Sequence, residues 1–479
     1  MHVLLESRKQ GLIEIPQQDL LILTHTLVYS SYWDFIGKYL HHKFGAEWIL
    51  SADHSLLFHA GNKAVPQQLM IRSPKGNNNP TVLAHNTSVF NLKANLPPPD
   101  QSLLLNGVRM YNLPSALVYC SPAFYTRNTI DARVALSLIR DVSEVLSVLL
   151  EHGHSTLAGR LAGAFRNMRR DNFADQIIDT FKQANYDVRE TDPFADKPEL
   201  NLSFRERGPY ANRIRLMWKQ MRATVISVFP AAPGIPVRNN EYLRDVDSMY
   251  VTDAYHSLSI ERYRVTPSLI EKVSSGKWDS NNSEEDRKQR DAMAARGYYQ
   301  AFQEVRKSIA AILNGSNPGR QVDTDHPKWY RQLFDPSVAA GILKVADLAG
   351  YSNQQVYIGN SRHVPLDVNA MRDAMPVLFE LLEAEPEASV RAVLGHFIFV
   401  FIHPYMDGNG RMGRFLMNAM LASGGYPWTV IPVEKRQTYM QALEQASLNQ
   451  DISEFAAFIA WLVNERMRGN SVAELPAGN

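Results

Sequence analysis

With 479 residues the chain is too long for one ordinary hydrophobic core, and two to four domains are expected. Fifty Lys plus Arg against 49 Asp plus Glu leave a formal net charge of +1, which excludes a general electrostatic grip on DNA or an anionic membrane but not a local patch. The single cysteine, Cys120, excludes an intramolecular disulfide and any zinc site of paired cysteines, and it fits a reducing compartment.

Along the chain, residues 1–10 carry Glu6, Arg8 and Lys9, so no signal-peptide apolar region is expected there. No apolar run approaches the ~18 to 20 residues of a membrane helix, and residues 397–402 read as a buried core segment. These features predict a cytoplasmic protein without a membrane partner. Residues 1–134 read as a mixed α/β module. Trp48-Ile49-Leu50, Leu56-Leu57-Phe58, residues 68–71 and residues 116–119 are its expected strands, with turns at residues 77–80 and 97–100.

From about residue 135 the apolar spacing becomes helical. Leu136, Ile139, Val142, Val145, Leu146 and Leu149 predict one helix, stopped by Gly153. Further helices are expected from Ser155 toward Arg170, over 175–184 and over 210–229. Pro230, Pro233 and Pro236 make a stiff linker that closes a helical connecting region, residues 135–239. Residues 240–320 form a helical extension, 321–468 a helical core and 469–479 a frayed tail; 277–285 read as a surface loop. Arg160, Arg166, Arg169 and Arg170 gather on one predicted helix, which suits a phosphate backbone or, more ordinarily, a solvated face. His41, His42, His54 and His59 lack metal-site spacing.

One stretch carries chemistry: His403-Pro404-Tyr405-Met406-Asp407-Gly408-Asn409-Gly410-Arg411-Met412-Gly413-Arg414. An apolar helix leads into it and another leaves it. Gly408 and Gly410 let consecutive N–H groups turn toward one point at a helix N-terminus, which makes an anion cradle. Arg411 and Arg414, three apart, project from one helix face and can clamp two phosphates. Asp407 is a hard oxygen ligand suited to Mg²⁺ beside those phosphates. His403 can take a proton from an incoming hydroxyl. The parts of phosphoryl or nucleotidyl transfer therefore lie within one short motif.

This motif resembles the Fic signature, His-Pro-Phe-x-Asp/Glu-Gly-Asn-Gly-Arg-x-x-Arg, with Tyr405 in place of Phe. The resemblance implies a mainly α fold: a helical Fic core with a small β-hairpin flap, beside the amino-terminal mixed α/β module. It implies AMP transfer from ATP with Mg²⁺ to a Ser, Thr or Tyr hydroxyl of a target protein, and self-modification. His403 would be the general base, Asp407 the Mg²⁺ ligand, and Gly408, Asn409, Gly410, Arg411 and Arg414 the nucleotide-binding residues. An uninterrupted Gly-Asn-Gly-Arg argues against the phosphorylating branch, which has lysine at the second glycine. Val356, Tyr357, Ile358 and Gly359 are similar to the flap that docks the target, and Tyr439 and Ala442 fall where the family lines its adenine pocket.

Ser257-Leu258-Ser259-Ile260-Glu261-Arg262 resembles the family's inhibitory helix, Ser/Thr-x-x-x-Glu-Gly/Asn. The resemblance implies that Glu261 pairs with Arg414 and blocks the γ-phosphate position, and that it could serve the reverse removal of AMP. Arg262 departs from the Gly or Asn of that pattern. The amino-terminal module has a faint similarity to winged-helix modules fused to some Fic proteins. A nucleotide-sensing DNA-binding regulator, or a transferase using a different nucleotide donor, is the rival reading. The target protein and a homo-oligomeric state stay open.

Overall fold

The turn-rich amino-terminal stretch folds around a small sheet. In the computed structural model, residues 32–83, 86–151, 153–195, 208–236, 238–275, 290–344, 348 and 350–476 are described. Helix α1 (Tyr32–Phe44) precedes strands β1 (Ile49–Leu50), β2 (Gln68–Ser73), β3 (Pro80–Val82) and β4 (Ser88–Lys93), which form one sheet in the order β1-β2-β4-β3. Strands β2 and β4 run parallel, with Leu69 opposite Val89. Leu69 and Ile71 alternate with exposed neighbours, so one sheet face packs on Ile36, Leu40 and Trp48. A hairpin of β5 (Ser102–Leu105) and β6 (Val108–Tyr111) turns at Asn106-Gly107, both at positive φ.

Two expected strands are helices. Leu56-Leu57-Phe58 lies in α2 (Ala52–His59), where Ser51 accepts the His54 N–H. Residues 116–119 lie in α3 (Leu113–Tyr119), where Asn112 accepts the Ser115 N–H and Pro114 sits in the first turn. In each case a capping side chain precedes the apolar run, and that signal outweighs the β-like composition. After α4 (Pro122–Arg127), the one helix expected to reach residue 150 is two, α5 (Thr129–Leu138) and α6 (Ser143–Glu151). Glu144 accepts the Asp141 N–H at 3.0 Å and Asp141 accepts that of Ser143 at 2.9 Å, closing the break as a cap.

The arginines of α7 (Ser155–Asn167) and of the turn before α8 (Asp171–Gln183) form neither a solvated face nor a phosphate-binding one. Arg160 is buried and donates to the carbonyls of Val118 and Cys120, and Arg170 to those of Leu136 and Ile139. Arg166 pairs with Glu190 and Asp175, while Arg169 is exposed.

Helix α9 (Pro209–Val228) holds the division between two compact units, one of residues 1–216 with 357–364 and the other of 217–356 with 365–479. The division departs from boundaries at 134 and 239. Inside the first unit Arg213 and Asp131 form a buried ion pair. Val65 N–H donates to Arg362 O at 3.0 Å, Arg362 Nε returns a bond to Val65 O at 2.8 Å, and Val364 packs on the sheet's core. No strand forms over residues 356–364, which corrects the expected hairpin. The backbone of Arg362 is engaged by Val65, and the Ser361 N–H to Ile358 O bond, at 3.3 Å, closes the turn.

The second unit is helical: α10 (Asn239–Ile260), α11 (Pro267–Ser274), α12 (Arg290–Leu313), α13 (Pro318–Ala339), α14 (Val368–Ala384), α15 (Ala388–Ile402), α16 (Asn409–Ala422), α17 (Arg436–Asn449) and α18 (Ser453–Met467). Helices α15 and α16 are buried along nearly their whole lengths and form its centre. The chain is mostly helical with a small β module. Residues 1–10 and 277–285 lie outside the described residues, and 470–476 of the expected tail contain no helix or strand. Among the described residues no helix is long and apolar enough to cross a membrane.

Candidate active site

The site is built where α15 gives way to α16. His403 caps α15 at φ +59°, a left-handed conformation that few non-glycine residues adopt. Its Nδ1 lies 3.1 Å from Val400 O. A carbonyl only accepts, so Nδ1 carries the hydrogen and Nε2 keeps its lone pair. Burial lowers the His403 pKa below its ordinary 6.5, and this prevails over the raising effect of the Val400 carbonyl, Glu261 and Asp407. At neutral pH the ring is therefore an uncharged base.

The loop after His403 is held from within. Tyr405 is buried and stacks on Tyr330 with ring centres 3.7 Å apart. Asn409 Oδ1 accepts the Tyr405 N–H at 2.9 Å, and its Nδ2 donates to Tyr405 O at 2.7 Å. The amide thus binds its own loop at both ends, so the Asn409 side chain braces the cradle. Gly408 sits at φ +82° and starts α16 with no capping side chain. The first-turn amides and the helix dipole favour an anion at that end.

An anion is there: the Glu261 carboxylate. Glu261 is the C-cap of α10, and its Oε1 accepts from Arg414 Nη2 at 2.8 Å. A methyl group built on Gly410 would collide with Glu261 Oε1, so glycine at 410 is what admits the carboxylate. Ser257, one turn back, accepts from Arg414 Nε through its hydroxyl at 2.8 Å and from Nη2 through its carbonyl at 3.1 Å. Burial pushes the Glu261 pKa up, but Arg414, then Arg411 and Arg436, outweigh it, so the carboxyl lies below its ordinary range. The Arg414 guanidinium, though desolvated, is held charged by Glu261.

Arg411 is also fully buried, and its Nη2 reaches Asp407 Oδ2 only at 3.4 Å. Among the described residues, Arg411 Nε and Arg414 Nη1 make no hydrogen bond. Orphaned buried cationic donors are costly, and a polyphosphate would satisfy both. Asp407 is mostly exposed, with Oδ1 accepting the Gly408 N–H at 2.6 Å. It is a lone carboxylate: no group of three acidic, His or Cys side chains able to hold a metal occurs among the described residues. The donor set fits an ion that arrives on phosphate, with Asp407 as one ligand.

His403, Asp407, Gly408, Gly410, Arg411, Arg414, Ser257 and Glu261 are thus brought together. Tyr439 lies beside Arg414. It is buried and hydrogen-bonded to His396 Nε2 at 2.8 Å, and Ala442 is buried with it. Val356, Tyr357, Ile358 and Gly359 lie in irregular chain. Sequence reading missed the ring of supports: Tyr263 and Phe334 beside Arg411, and Arg436, whose Nε donates to Ile260 O at 2.7 Å. Tyr298 was missed too; its hydroxyl donates to buried Asp253 at 2.5 Å. Only Tyr263, two residues past Glu261, carried a positional signal.

A profile of the Fic/DOC family matches residues 327–421. The chain is similar to the "Protein adenylyltransferase Fic" of Drosophila willistoni, 38% identical over 114 residues, or 23% of this chain and 22% of that one. The Drosophila virilis protein of that name is 38% identical over 23% of each chain. The alignment therefore spans under a quarter of these curated relatives. Among solved structures, Fic-1 (residues 134–508) of C. elegans aligns at 16% identity and a TM-score of 0.39, over 71% of this chain and 86% of that one. A Fic-domain signalling protein of Bacteroides thetaiotaomicron aligns at 17% and 0.37, over 54% and 100%. The matched residues run from α13 to α16 and include the motif from His403 to Arg414, so the similarity to the Fic/DOC family falls on the elements that build the site.

Proposed function

We propose that this chain is an autoinhibited protein adenylyltransferase. In the proposed reaction a target hydroxyl oxygen attacks the α-phosphorus of ATP, and His403 Nε2 receives the hydroxyl proton. The bond from the α-phosphorus to its bridging oxygen breaks, AMP stays on the target, and pyrophosphate leaves. Arg411 and Arg414 would hold the β- and γ-phosphates, and the uncapped end of α16 would bind the α- and β-phosphates. Mg²⁺, carried by the nucleotide and held in part by Asp407, would supply charge neutralisation on the departing pyrophosphate. Residues 356–359 form no ladder of their own, which suits a target strand added there. A reducing, cytoplasmic setting is the one we assign, supported by the buried, unpaired Cys120.

The observation that carries this reading is the Glu261 carboxylate seated over Gly410 and paired with buried Arg414. It occupies an anion site and must move before a γ-phosphate can use that arginine. A charge-assisted bond of this kind contributes about 1.5–3 kcal/mol, so its loss should raise nucleotide use about ten- to hundredfold. The test is self-labelling from α-labelled ATP. Glu261→Gly is expected to exceed the native chain by that factor, and His403→Ala in the same background to abolish labelling. Equal labelling in the native and Glu261→Gly chains would remove the brake assignment.

A further inference from the structure

Arg411 is held by rings rather than by hydrogen bonds. Its guanidinium carbon lies 5.2 Å from the centre of the Tyr263 ring and 5.0 Å from that of Phe334. The side chain is 1% exposed, yet its one polar contact is Asp407 at 3.4 Å and its Nε has no hydrogen-bond partner among the described residues. A guanidinium is planar and donates in its plane. Aromatic faces attract its charge and fix its orientation without consuming those edge donors.

Phe334 comes from α13 and also lies against Gly408, where an added Cβ would meet its ring at 2.9 Å. Tyr263 comes from the turn that ends the brake helix. That turn is pinned: Tyr263 N–H donates to Leu258 O at 3.1 Å, Arg262 N–H to Ser259 O at 3.0 Å, and Arg436 Nε to Ile260 O at 2.7 Å. The first two bonds are the paired closure of a Schellman motif. Glu261 can therefore leave Arg414 by side-chain rotation while the backbone that presents Tyr263 stays in place.

We infer that Tyr263 is a positioning residue for nucleotide binding, aiming the Arg411 fork at phosphate, and this rests on the nucleotide site proposed above. Two residues of one turn then act with opposite sign: Glu261 opposes the nucleotide and Tyr263 favours it.

The test is calorimetric binding of ATP with Mg²⁺ to the full chain carrying Glu261→Gly and His403→Ala, which removes both brake and turnover. Tyr263→Leu keeps an apolar side chain but no ring, and is expected to weaken binding about three- to thirtyfold. Tyr263→Phe keeps the ring and is expected to stay within about twofold of its parent. The inference is overturned if Tyr263→Leu binds as tightly as Tyr263→Phe, or if Tyr263→Phe falls as far as Tyr263→Leu. If Tyr263→Leu weakens binding while Glu261→Gly with His403 intact transfers no AMP, the proposed reaction fails and the role of Tyr263 stands.

Discussion

Arg262 shows at the scale of one residue what the turn presenting Glu261 demands. It sits at φ +66°, one position past the C-cap of α10, where glycine or asparagine is at ease and a longer side chain is strained. The conformation explains why the family pattern has Gly or Asn there. Arg262→Gly is expected to stabilise the chain by about 0.5–1 kcal/mol in denaturant unfolding and to lower residual self-labelling, because the turn presenting Glu261 is relaxed. A drop in stability would show that the arginine side chain, not its φ, governs the turn. Residue types at fixed spacing made His403, Asp407, Arg411 and Arg414 legible. The duties of Asn409 and Tyr439 were not legible, since a polar side chain facing its own loop and one facing a ligand look identical in a sequence. Phe334, some seventy residues before the motif, left no trace of its contact with Arg411.

Helix α10, which carries the proposed brake, is gripped on several sides as an element. Val433 N–H donates to His256 Nδ1 at 3.1 Å, Arg436 Nε donates to Ile260 O, and Tyr298 bonds Asp253. His256 accepts at Nδ1 and burial lowers its pKa, so it is neutral at pH 7. The pH response follows from two depressed groups. Glu261 lies below its ordinary 4.5, so its pairing holds above that value and is lost only as pH falls through the depressed one. His403 lies below 6.5, so its base form persists into mild acid. Self-labelling by Glu261→Gly is expected to fall on an acid limb below pH 6.5, while the native chain stays inhibited from about pH 5 to 8. Release of the native chain near pH 6 would contradict the Glu261 assignment. Element types were legible where a helical pattern ran long, as over residues 210–229, found as α9. They failed at α2 and α3, short apolar runs whose nature was decided by Ser51 and Asn112 just upstream.

The whole molecule is interleaved in a way that linear reading could not supply. Residues 357–364 belong to the first unit although residues on either side belong to the second, and the bonds between Val65 and Arg362 span nearly three hundred positions. Hydrophobic period reports which face is buried, not which distant strand will cover it. Arg362→Ala is expected to speed chymotryptic cleavage after Tyr357 several-fold while other cuts keep their rates, because the guanidinium bond to Val65 O is lost. Unchanged cleavage would mean that the Val65 N–H to Arg362 O bond and Val364 packing hold the segment without the guanidinium. The arginines around α7, all but Arg169 engaged inside the first unit, explain how a chain of +1 net charge can hold arginine clusters without a basic face. The intact mass of the Glu261→Gly chain after incubation with ATP and Mg²⁺ tests the proposed AMP transfer. A gain of one or more AMP groups is expected, absent from Glu261→Gly with His403→Ala. A gain of phosphate, or AMP acquired without His403, would contradict it.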